Sequence, residues 1–88
     1  MKSIVILISG RGSNMESLLK AVAGGSLPVL VAAVISNRPD AKGLEIAAAQ
    51  DVETCVVDHT RFDSRESFDA AMIKTIDSYS PDLVVLAG

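Results

Sequence analysis

A short polar loop, Gly10-Arg11-Gly12-Ser13-Asn14, cuts off the apolar run Ile4-Val5-Ile6-Leu7-Ile8 and precedes a helical pattern. A helix beginning there presents unpaired backbone N–H groups and the positive end of its dipole, which together suit an anion. Glycines at 10 and 12 let the backbone approach a phosphate closely, and Ser13 and Asn14 add side-chain donors. No Gly-Lys-Ser/Thr follows at Walker A spacing. The loop also fails as a dinucleotide fingerprint. Its third glycine position holds Met15, and Ser36-Asn37 ends the second strand where a ribose-binding acid would stand. A mononucleotide or sugar phosphate therefore fits better than NAD. A purely structural reading stands beside this one, because Ser13-Asn14-Met15-Glu16 is a capping box with Ser13 as N-cap and Glu16 at N3. Capping uses only some of the free N–H groups, so the two readings are compatible.

Other reactive residue types are sparse. Cys55 lies in a short strand without a basic neighbour to activate it, which marks it as a packing residue rather than a nucleophile. His59 follows that strand as a loop residue. The acids are scattered along helix faces, so no metal site is expected. The 88 residues carry 11 Asp+Glu against 8 Lys+Arg, a net charge of −3, and no basic run. That balance argues against nucleic acid or an anionic membrane as a partner. With 49% hydrophobic residues the chain is not disordered, and a single cysteine excludes an internal disulfide framework. No apolar run approaches the ~20 residues of a membrane span, and no cleavage pattern follows the first strand. A cytoplasmic location is expected.

The elements that must carry the loop read clearly. Ser3–Ser9 is a β-branched run typical of a strand buried on both faces. Met15, Leu18, Leu19 and Val22 form a helical stripe that Gly24-Gly25 stops. A second strand spans Pro28–Ser36 and ends in the turn Asn37-Arg38-Pro39-Asp40. Lys42–Gln50 predicts a helix with Leu44, Ala47 and Ala48 inward, and Glu53–Val57 a third strand. Asp63 and Glu66 form a second capping box opening a third helix, whose stripe is Phe68, Met72, Ile76 and Tyr79. Leu83–Leu86 is a fourth strand. The order β-α-β-α-β-α-β predicts one α/β unit, a Rossmann-like parallel sheet, and the strand order 3-2-1-4 follows by analogy with dinucleotide-type folds. Ligands of such sheets sit beyond the carboxyl ends of the strands where the order reverses. Here that brings Gly10–Asn14 beside Ala87-Gly88.

Four ordered blocks add a family likeness. They are Ile4–Asn14, Val34–Leu44 (Val-Ile-Ser-Asn-Arg-Pro-Asp-Ala-Lys-Gly-Leu), Phe62-Asp63-Ser64-Arg65-Glu66, and Pro81–Gly88 (Pro-Asp-Leu-Val-Val-Leu-Ala-Gly). In them the chain resembles the N-terminal part of the phosphoribosylglycinamide formyltransferase family. Those enzymes move a formyl group from 10-formyltetrahydrofolate to the amine of glycinamide ribonucleotide in purine biosynthesis. The resemblance implies that Gly12, Ser13 and Asn14 hold the ribonucleotide phosphate, that Arg65 serves the folate side, and that Gly88 lies at the substrate-site edge. Without the family, Arg65 reads as an ion-pair partner of Asp63, Glu66 or Asp69.

The family's Asn-x-His-Pro-Ser segment and downstream aspartate do not occur in these residues. No catalytic residue is therefore assigned, and the 88 residues alone are expected to be inactive: the ribonucleotide phosphate-binding half of a formyltransferase domain, cut after strand four. The last strand would then leave an apolar edge open, so self-association through it is expected. A non-catalytic phosphate-sugar binding module and a formyltetrahydrofolate deformylase are the alternatives. Methionyl-tRNA formyltransferase shares the fold, and a receiver-type domain is disfavoured because strand one ends in Ser9-Gly10 rather than an acidic pair.

Overall fold

The computed structural model describes residues 1–87. Four strands, β1 (Lys2–Ile8), β2 (Val29–Ser36), β3 (Thr54–Val56) and β4 (Leu83–Leu86), alternate with three helices, α1 (Ser13–Ala23), α2 (Lys42–Ala49) and α3 (Arg65–Ser78). The sheet is parallel with order β3-β2-β1-β4, as the alternation of apolar runs and helical stripes predicts. β1 is central. Val5 and Ile6 are wholly buried, because helices cover both of its faces.

Period-two alternation divides the sheet residues between two cores. Ile4, Ile6, Ile8 and Val34 pack with Met15 and Leu19 of α1 and Ala47 of α2. Val5, Ala33 and Ile35 face the other way, against half-buried Phe68, Met72, Ile76 and Tyr79 of α3. The alternation slips once. Ile4 pairs with Val31 but Val5 with Ala33, so β2 carries an extra residue, Ala32, and both alanines turn to the α3 side. β4 is pinned at its start, where the Ser3 N–H donates to the Asp82 carboxylate at 2.7 Å and the Asp82 N–H returns to the Ser3 carbonyl at 2.8 Å.

Three local expectations are corrected. Ser13 is the first helical residue of α1, not its N-cap; Gly12 holds that place in the left-handed region, and no side chain caps the helix. The Ser13–Glu16 box therefore does not form. At α3 the cap is Ser64, whose Oγ accepts from the Ser67 N–H at 3.1 Å, so the Asp63–Glu66 box is displaced by one residue. In α2 Ala48 is exposed, and the tightly packed face runs through Gly43 and Ala47. Alanine favours a helix on any face, so composition could not choose between them. A single 3-10 turn, His59–Arg61, follows β3 and was not expected from the sequence.

Candidate functional site

The carboxyl ends of β1 and β2 each lead, through a short turn, into a helix whose N-terminus points back at the sheet edge. These two helix starts touch. Gly12 has φ 75°, and a Cβ placed on it would lie 2.8 Å from the Gly43 Cα. Conversely, a Cβ on Gly43 would lie 2.5 Å from the Ile8 side chain. The Gly43 N–H donates to the Gly10 carbonyl at 3.3 Å, joining the two turns directly. Gly43 was missed by motif reading. Its signal was present: a glycine inside a helix costs about 1 kcal/mol against alanine and so asks for a packing reason.

At this junction α1 begins without a side-chain cap. The first intrahelical bond is Glu16 N–H to the Gly12 carbonyl at 2.8 Å. The amides of Ser13, Asn14 and Met15 precede it and have no acceptor within the helix. Met15 is fully buried and anchors the turn from below, whereas Ser13 and Asn14 are exposed at the helix mouth. Three amides, a hydroxyl and a carboxamide thus gather where the dipole is positive, a set of donors suited to an oxyanion.

The second turn is held as firmly. Ser36 is fully buried, and its hydroxyl donates to the Arg38 carbonyl at 2.8 Å while accepting from the Arg38 N–H at 3.0 Å. The Ala41 N–H closes the turn on the Arg38 carbonyl at 3.3 Å.

Arg65 stands apart from the loop, as the first residue of α3. Its Nε lies 3.9 Å from the Asp69 carboxylate, one of the three partners the sequence offered, and the side chain is 89% exposed. Such a pair contributes little to stability and leaves the guanidinium available. Arg65 rims a groove of about 400 Å³ walled by Leu7, Ile35, Phe68, Met72 and Leu86. Ser9 lines both this groove and the cleft beside Gly10, so the loop and the groove share a wall. Ala87 is buried, and its N–H donates to the Leu7 carbonyl at 3.0 Å, which sets the end of β4 beside β1 as expected. Gly88 lies outside the described residues.

Neither Cys55 nor His59 lines the Arg65 groove or the cleft beside Gly10. Cys55 is half-buried and packs with Tyr79 in the α3-side core. His59 packs edge-on against Phe68 with ring centroids 6.5 Å apart. Among the described residues no group of His, Cys, Asp or Glu is arranged to hold a metal ion, and no helix is long and apolar enough to cross a membrane.

Residues 2–88 match the formyl transferase N-terminal family model. The chain belongs to the formyl transferase family. It is 45% identical over 86 residues to the phosphoribosylglycinamide formyltransferase of Escherichia coli, covering 98% of this chain and 41% of that one. The solved phosphoribosylglycinamide formyltransferase of Coxiella burnetii superposes with TM-score 0.94 at 46% identity, over 99% of this chain and 41% of its own. The glycinamide ribonucleotide transformylase of Symbiobacterium toebii gives TM-score 0.94 at 43% identity, with 100% and 42% coverage. This formyl transferase chain therefore spans about two fifths of the length of the relatives it matches.

Proposed function

We propose that the chain is the ribonucleotide phosphate-binding half of a phosphoribosylglycinamide formyltransferase. The observation that carries this is the uncapped start of α1 on a left-handed Gly12, at the carboxyl end of the central strand. In this reading the phosphate accepts from the amides of Ser13 and Asn14 and from their side chains. Gly12 lets the turn close on α2, because a Cβ there would lie 2.8 Å from the Gly43 Cα. An N-cap Ser13 would have turned its hydroxyl on its own helix, so the failed capping box favours ligand binding over structure. The groove suits the folate co-substrate, since its wall is apolar and Arg65 at the rim can meet a carboxylate. 10-Formyltetrahydrofolate is the formyl donor in this assignment, glycinamide ribonucleotide the acceptor, purine synthesis the process and the cytoplasm its place. Gly88 is assigned to the substrate-site edge.

Formyl transfer needs a neutral amine, stabilisation of a tetrahedral oxyanion, and a proton for the leaving nitrogen. The residues described above supply anchorage for that chemistry and none of the acid–base groups. We therefore expect no formyl transfer by the purified 88-residue chain, and measurable turnover would overturn that. Binding is tested by calorimetric titration with glycinamide ribonucleotide and, separately, with an unrelated sugar phosphate. Stronger binding of the ribonucleotide, lost in Asn14→Ala, supports the assignment. Equal weak heats for both would leave only a generic phosphate-sugar module.

The open edge of β4 is proposed as a self-association surface of this chain, because Leu83 and Leu86 are 60% and 80% exposed there. Sedimentation across a concentration series tests it, and a monomer at every concentration would remove it.

A further inference from the structure

Beside the α1 mouth lies a second cleft of about 250 Å³ lined by Ser9, Gly10, Arg11, Arg38, Asp40 and Lys42. Three of the chain's 8 Lys and Arg residues meet here in a molecule of net charge −3. The only acid in the lining is Asp40, whose carboxylate is 3.9 Å from the Arg38 Nε with both side chains exposed. Two positive charges are left uncompensated.

The cations are also held in place by backbone. Arg11 sits between Gly10 and Gly12, in the turn locked against α2. Arg38 rides on the turn that the buried Ser36 hydroxyl clamps on both sides, and Lys42 opens α2 at its contact with the loop. Long side chains on fixed stems line one cleft while remaining exposed to water. Such an arrangement draws an anion in at modest cost in desolvation, and its reach depends on ionic strength.

We propose that the cleft formed by Arg11, Arg38 and Lys42 is a capture subsite for a phosphate monoester, which it passes to the amides of Ser13 and Asn14. This rests on the phosphate assignment of the α1 mouth and adds to it the residues that govern phosphate entry and its salt dependence. The cleft is lined by Gly10 and Arg11, which lead directly into the Gly12 start of α1, so a dianion held there is one residue from the helix mouth. Asp40 acts against capture, which gives the proposal an opposite-sign test.

The probe is ribose 5-phosphate, titrated into the 88-residue chain while backbone amide shifts are followed. Titrations are run at ionic strengths of about 0.01 M and about 1 M, where the Debye length is about 30 and about 3 Å. The expected result is that Arg38→Ala/Lys42→Ala weakens binding about five- to tenfold at low salt and under about twofold at high salt. Asp40→Asn should strengthen binding about two- to threefold at low salt, a gain that a damaged fold could not give. Should ribose 5-phosphate shift the amides of Gly12, Ser13 and Asn14 equally in all three proteins at both salts, the capture subsite is overturned and the phosphate assignment stands. Should it shift only residues 38–42, the cleft stands as an anion site and the assignment of the α1 mouth falls.

Discussion

The two faces of one sheet are finished to different degrees. On the α1/α2 face, Ile6, Met15, Val34 and Ala47 are wholly buried, and two helices meet backbone to backbone at Gly12 and Gly43. On the α3 face, the helix contributes no fully buried residue; its Phe68, Met72 and Ile76 are half-buried and Ile73 is 59% exposed. The Gly10–Asn14 loop belongs to the sealed face and the Arg65 groove to the open one. A ligand fixed by backbone amides needs donors held to a fraction of an ångström, which close packing supplies. A groove of apolar side chains tolerates movement, because its contacts have no direction.

Matched substitutions test that contrast. Met15→Ala should destabilise the chain by about 2–5 kcal/mol, and Met72→Ala by less than about half as much, in denaturant unfolding. Equal losses would mean that α3 is packed as firmly as α1. Next comes Gly12→Ala, which forces a Cβ into the Gly43 backbone and a left-handed conformation. It should cost about 2–4 kcal/mol and abolish the proposed ribonucleotide binding, whereas Gly10→Ala, with open space around its Cβ, should be tolerated. On the open face, Ser64→Ala removes the α3 cap and should cost about 1 kcal/mol, with the Ser13→Ala loss of stability smaller because Ser13 caps nothing.

The smallest effects are protonic. The chain has one tyrosine and no tryptophan, so tyrosinate absorbance reports Tyr79 alone. Its hydroxyl hydrogen-bonds the Glu53 carboxylate, and this bond, with burial second, pushes its pKa up to about 12. A raised tyrosine pKa favours folding fully below pH 10, and that contribution is lost as pH rises from 10 towards 12. Glu53→Gln should bring the titration midpoint down towards 10 and loosen α3 from β3. At the acid end, the Thr60 hydroxyl and then its backbone N–H hold Asp58 below the ordinary carboxylate value of 3.8. Its contribution is present above pH 3.8 and is lost as pH falls through the lowered value. Thr60→Val should raise the Asp58 pKa towards the ordinary value in a carboxyl NMR titration, the backbone N–H keeping part of the lowering.

The parallel sheet was legible because β-branched runs and helical stripes alternate without interruption, and parallel strands need crossovers; its order came from analogy with dinucleotide-type folds. The placement of Gly12, Ser13 and Asn14 at a strand-to-helix turn was legible too. The loop's local geometry was not. Whether Ser13 or Gly12 caps α1 depends on Gly43, some thirty residues away, and no local pattern carries that contact. Cap positions one residue apart, such as Asp63 and Ser64, differ in how the preceding chain enters the helix, which tertiary packing decides. The clamp from Ser36 to Arg38 was equally hidden, because a serine closing a strand is ordinary until it is seen to be wholly buried.

The meeting of Gly12 with Gly43 also limits how the chain can recover from mutation. An overfilled core is often relieved by trimming the neighbour, but here each partner is already the smallest residue there is. Neither position has a second-site suppressor at the other. Substitutions at the two should not rescue one another when combined, and a library that varies the loop gains nothing by varying its glycine partner with it.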